Sequence, residues 1–146
     1  MTRSSSAVGG EVLPFPHSDE VLRGILEYAS VGMSLVDMQG RVVYANRAFS
    51  GMFGYPVAEC IGLRAADLVA RELVDDAEGQ LAQLMRGEID SYRSERRYRR
   101  RNGTLFWGLV SASAVHANGS GRPLCLIVQI ADIDREKAAL AALAES

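Results

Sequence analysis

The chain is poor in the residues that carry most enzyme and metal chemistry. Its 146 residues include two cysteines, two histidines and one tryptophan, and aromatics make up only 7%. Cys60 and Cys125 are too few for a disulfide framework, which points to a reduced, cytoplasmic compartment. His17 and His116 stand far apart, and no metal site is expected. No run approaches the roughly 18 apolar residues of a membrane span, and the opening "MTRSSSAVGG" has no signal-peptide core. There is no Gly-x-Ser-x-Gly elbow, no phosphate-cradling loop and no nucleophile placed beside a base, so catalysis is not expected. Asp75, Asp76 and Glu78 read as one solvated helix face rather than paired acids. A net charge of −2 provides no global field for nucleic acid.

What is present is a chain that alternates short elements. Residues 1–13 are Ser/Gly-rich and read as a disordered N-terminal segment. Residues 14–30 read as a flanking helix, with Ser18 as its cap and Val21, Leu22, Ile25 and Leu26 on one stripe. "GMSLVD" and "RVVYAN" around "MQG" form a hairpin pattern. Residues 46–60 break into short helical pieces around Phe49, Met52 and Phe53. Residues 71–86 form the longest helical pattern, stopped by Gly87. "SYRSERRYRRR", Asn102-Gly103 and "TLFWGLVSASAVH" read as a second hairpin. "LCLIVQIADI" is a dense apolar strand, and "REKAALAALAES" is helical by composition. Three strands joined by turns form an antiparallel meander, and the first hairpin completes a five-stranded sheet. The short helices then lie on one face of that sheet.

"SLVDMQGRVVYANRAFSGMFGY", "VAECIG", "RRYRRRNGTLFWGLVSAS" and "LIVQIADIDREKAAL", in this order, resemble the PAS domain of bacterial sensory proteins, such as histidine kinases and diguanylate cyclases. The resemblance covers about residues 18–140. It implies an α/β (α+β) PAS fold over 31–133, a five-stranded antiparallel sheet with flanking helices at each end, and an output helix over 134–146. It implies a sensory, signal-relaying and dimerising module of a larger regulatory protein, followed by an effector domain outside this chain. The alternatives are a ligand-free dimerisation domain and a flavin- or haem-bearing redox or light sensor.

The cofactor is left unknown, with none as the leading expectation. Haem-binding relatives resemble one another in a His on or near the long helix, and residues 70–90 contain none. Covalent flavin sites carry a Cys in a Gly-Arg-Asn-Cys-Arg-Phe-Leu motif. Here "GLRAADL" places Ala65 there, and Ile130 stands where those relatives carry Gln. The "YRSERRYRRR" run reads as a charged, exposed hairpin, so no nucleic-acid partner is expected. Strand alternation puts Arg96 and Arg100 on one face with Tyr92 and Tyr98.

The inward faces of the proposed elements give a small apolar pocket lined by Leu35, Phe49, Met52, Phe53, Leu68, Leu84, Met85, Leu109 and Val128, fit for a small apolar ligand. Cys125, Ile127, Gln129 and Ala131 fall on the other face of the last strand. Ile127, with the N-terminal stripe, is expected to contact a second subunit of a homodimer or that helix. Asp132 and Asp134 are expected to form the joint between sheet and output helix, with Asp134 standing where the family usually has Thr.

Overall fold

The computed structural model describes residues 31–117 and 121–145. The expected disordered segment and first helix, with Ser18, Val21, Leu22, Ile25 and Leu26, lie outside the described residues. The described chain runs β1 (Gly32–Val36), β2 (Val42–Ala45), α1 (Arg47–Phe53), α2 (Val57–Cys60), two 3₁₀ turns (Ala65–Leu68 and Arg71–Leu73), α3 (Val74–Met85), β3 (Ser91–Arg99), β4 (Leu105–His116), β5 (Pro123–Asp132) and α4 (Asp134–Glu145). The strands form one five-stranded sheet in the order β2-β1-β5-β4-β3. Every neighbouring pair is antiparallel. The first hairpin and the meander meet where β5 inserts between β1 and β4.

Local chemistry sets the breaks. The Asp37 side chain accepts from the N–H groups of Gln39 and Arg41, and Gly40 takes a φ of 82° that favours glycine. That closes the first hairpin. Asn46 is fully buried and caps α1: its Oδ1 accepts from Phe49 N at 3.0 Å and from Met33 N at 2.9 Å. Its Nδ2 donates to Val31 O at 3.0 Å. One side chain therefore starts α1 and ties it to β1. The pattern over 71–86 is split: Leu73, at φ −104° and ψ 0°, separates a 3₁₀ turn from α3. The turn at Asn102-Gly103 is longer than a two-residue hairpin loop. Arg100 N donates to Thr104 O, and Asn102 Oδ1 accepts from Thr104 N and Oγ1.

The core lies between the sheet and the helical layer. Phe49, Phe53, Tyr98 and Phe106 form its aromatic centre, with Phe53 within 4.7–5.7 Å of the other three ring centroids. Each such pair contributes about 0.5–1.5 kcal/mol beyond area burial. The Tyr98 ring covers the backbone at Gly108, where an added Cβ would stand 2.8 Å from Cδ2. The second half of β3 is roofed by the chain at 69–70: Ala70 N donates to Arg97 O at 2.9 Å.

Candidate functional site

Two places concentrate polar groups: a cavity between sheet and helices, and the joint where β5 becomes α4. The cavity holds about 30 Å³, room for little more than one water. Of the residues named from the sequence, Phe49, Leu68 and Val128 line it. Phe53 and Leu84 are buried in the core but do not line it, and Met52 packs partly buried against the core. Met85 lines a separate surface cleft with Met38, Gly40 and Arg64.

Leu35 and Leu109 are on the opposite face of the sheet, half-buried. Leu35 pairs with Ile127, and Leu109 lies between Glu95 and Ala131. Gly32, Ser34 and Val36 of β1, and Phe106, Gly108, Val110 and Ala112 of β4, occupy the inward face instead. A one-residue change of phase moves a strand's whole apolar set across the sheet. Both strands carry apolar residues on both faces, so apolarity alone does not choose between the phases.

The lining is also more polar than an apolar pocket. Ser34, Tyr92, Arg96 and Tyr98 contribute to it. The signal for the last three was the alternation of β3, which places Tyr92, Arg96 and Tyr98 on one face. Burial pushes the hydroxyls of Tyr92 and Tyr98 above their ordinary range, and the Arg96 charge offsets part of that rise. The Arg96 guanidinium lies 5.4 Å from the Tyr92 ring centroid.

A covalent flavin does not fit these residues. Ala65 lines the cavity, and the nearest thiol in sequence, Cys60, is buried outside the lining and directed at Tyr55 O, 3.7 Å away. Burial, with the Glu59 charge second, raises the Cys60 pKa and so disfavours the nucleophilic thiolate. His116 ends β4, away from the cavity.

The joint is a set of short bonds between α1, the β3–β4 loop and α4. The last carbonyls of a helix lack partners within it, and two of α1 are taken by this loop. Arg100 Nε donates to Met52 O at 3.1 Å, and Arg101 N donates to Phe53 O at 2.8 Å. Arg100 Nη2 also donates to Asp132 Oδ2 at 3.2 Å, while its guanidinium covers the Phe106 ring at 4.4 Å. Asp132 Oδ1 accepts from Asp134 N at 3.0 Å. Asp134 Oδ1 accepts from Trp107 N at 2.7 Å, and Trp107 O accepts from Ile133 N at 2.9 Å.

On the outer face, Lys137 of α4 pairs with Glu95 of β3 at 2.7 Å. Two cations lie near the Trp107 ring centroid, Lys137 at 4.6 Å and Arg97 at 5.2 Å. The sequence pointed to Asp132 and Asp134 but not to Arg100. Arg100 is one of several arginines in the run, and its partners are distant in sequence.

Among the described residues no helix is long and apolar enough to cross a membrane. The family described as PAS domain matches residues 30–134. A probable diguanylate cyclase, DgcE of Escherichia coli (strain K12), is 34% identical over 137 residues, which is 94% of this chain and 12% of that protein. The chain therefore spans about an eighth of the length of that relative. The crystal structure of a PAS domain from Colwellia psychrerythraea superposes with a TM-score of 0.73 at 14% identity, covering 81% of this chain and 98% of that one. The structure of an RNA-binding Light-Oxygen-Voltage receptor superposes with a TM-score of 0.74 at 26% identity, covering 100% of this chain and 42% of that one.

Proposed function

The chain belongs to the PAS domain family, the sensory modules of signalling proteins, and from that premise we propose that it couples events in its cavity to α4 and so to an effector outside this chain. The observation that carries this reading is the bonded path from Met52 O through Arg100 and Asp132 to Asp134. Met52 belongs to α1, whose Phe49 forms part of the cavity wall. A shift of α1 changes the carbonyl that Arg100 holds, and Arg100 also holds Asp132, the last residue of β5, which accepts from the N–H of Asp134 at the start of α4. The signal is then a shift between two arrangements of α4 relative to the sheet.

The module itself performs no catalysis in this reading. A diguanylate cyclase effector fits the relative named above, and a histidine kinase would be driven in the same way. Dimerisation is supported by the outer sheet face, where Leu35 pairs with Ile127 and Leu109 with Ala131, and by α4, where Leu140 and Leu143 are 66% and 70% exposed. The domain division stands with this proposal: a core over 31–133, a flanking helix over 14–30 and an output helix from 134, working in the cytoplasm as a homodimer.

The test joins residues 1–146 to a cyclase or kinase reporter and replaces Asp132 and Asp134 by Ala. The expected result is a folded sheet with an output locked at one level. A double variant that still switches like the parent would overturn the path.

A further inference from the structure

Arg96 lines both the core cavity and a second, open space. That space is a groove of about 600 Å³ along β3 and α3, walled by Glu72, Asp76, Gln80, Ser94, Arg97 and others. Its side chain borders both spaces, and that shared border is the mouth. Among the described residues no carboxylate lies within ion-pairing distance of it. Four buried side-chain polar atoms among these residues lack a hydrogen-bond partner, and three of them line this groove: Gln80 Oε1, Ser94 Oγ and Arg97 Nε. Buried polar groups are nearly always satisfied, so such a concentration marks where a partner belongs.

We infer that the mouth at Arg96 binds a small monocarboxylate with a short apolar tail, its carboxylate on Arg96 and Ser94 and its tail in the cavity beside Phe49 and Leu68. The donors are a planar fork and a hydroxyl, the set that matches a carboxylate. The cavity beyond is mostly apolar and admits only the end of a short tail, about one carbon in size. The charge on the groove wall limits the ligand further. Arg96 and Arg97 border the groove together with Glu72, Asp76 and Glu95, and Glu95 is already taken by Lys137. A second negative charge on the ligand would meet Glu72 and Asp76, so dicarboxylates and phosphates are disfavoured. Arg97, next in the strand, covers Trp107, whose main chain holds α4. A ligand on Ser94 and Arg96 therefore presses on the output joint from the β3 side.

This inference rests on the sensory reading, and the test separates the two. The 146-residue chain is titrated with propionate at constant ionic strength, followed by Trp107 fluorescence and by amide NMR shifts. The same titration is run with n-propanol, succinate and inorganic phosphate. The expected result is saturable propionate binding with a Kd of about 1 mM or tighter, at least about tenfold tighter than the other three. Arg96→Gln and Ser94→Ala should each weaken propionate by about tenfold or more, with the amide spectrum otherwise that of the folded parent. The absence of saturable propionate binding, equal binding of succinate, or unchanged affinity in both folded variants would overturn the site. If the Asp132/Asp134 reporter still behaves as expected in that event, the sensory reading stands and only the ligand falls. Propionate binding that leaves the reporter unmoved would instead overturn the coupling.

Discussion

Asp134 Oδ1 accepts the main-chain N–H of Trp107 at 2.7 Å. Asp134 stands where the family usually carries Thr, and the acid keeps the strand-to-helix contact with a carboxylate oxygen. Its neighbour Ile133 returns a bond to the same residue, Ile133 N to Trp107 O at 2.9 Å. β4 and the start of α4 are thus clamped at both polar atoms of one peptide residue.

Asp134→Ala removes one side of that clamp. The Trp107 amide should exchange with solvent about fivefold faster, the equivalent of about 1 kcal/mol for one hydrogen bond. Asp134→Thr should restore most of the protection. Amide exchange by NMR reads both, and equal protection in parent and Ala variant would show that the bond does not hold the joint.

Arg100→Met keeps apolar cover over Phe106 but cuts the bonds to Met52 O and Asp132. The Arg100 and Asp132 side chains are 28% and 36% exposed, so the pair adds only about 0–1 kcal/mol to stability. The expected outcome is a melting temperature close to the parent's and a reporter fusion that no longer responds. A responsive fusion would place the coupling elsewhere.

The core makes the opposite demand. Phe53→Ala empties a fully buried site that touches three aromatic rings and should cost about 3–5 kcal/mol. Gly108→Ala drives a Cβ into the Tyr98 ring and toward Ile130 and should cost about 1–3 kcal/mol. Urea unfolding measures both. A Gly108→Ala chain as stable as the parent would mean that the ring swings clear at no cost.

Tyr92 and Tyr98 set an alkaline limit. Both hydroxyls titrate above the ordinary value of 10.0 in the folded chain, because burial disfavours the phenolate. Between that value and the folded one the unfolded chain has already lost its protons and the native chain has not. Stability is therefore complete below pH 10 and falls as pH rises through the folded range. Absorbance at the phenolate band, followed with circular dichroism, should show these two tyrosines ionising only as the chain unfolds. Tyr98→Phe should lessen the alkaline loss. Reversible ionisation of all five tyrosines in the folded chain would contradict the burial argument.

α4 has twelve residues and none of them is buried. Helices shorter than about 12–15 residues are marginal alone in water. Its last two turns should exchange fast in a dilute monomer and slowly where α4 pairs with its twin. Exchange at two protein concentrations reads this, and slow exchange at both, with sedimentation showing a monomer, would remove pairing as the source of order.

The order of elements was legible in the sequence because its signals are local. The Gly-containing turn in "MQG", the break into short helical pieces from residue 46 and the Gly87 stop each act within a few residues, and the structure shows the Asn46 cap and the positive φ of Gly40 and Gly87 behind them. The four family motifs then identified the fold, and Asp132 and Asp134 could be singled out because they sit at a strand-to-helix change. Which face of β1 and β4 turns inward was decided only by the tertiary structure. Leu35 and Leu109 looked like pocket residues, yet Ser34 and Gly108 hold the inner positions. The register that β5 imposes on both neighbours fixes the phase, and the Tyr98 ring leaves room for no side chain at 108. The Arg100 link and the Arg96 mouth also depend on the fold. Their partners lie up to 48 residues away in sequence, and only the closing of the sheet against the helices brings them within reach.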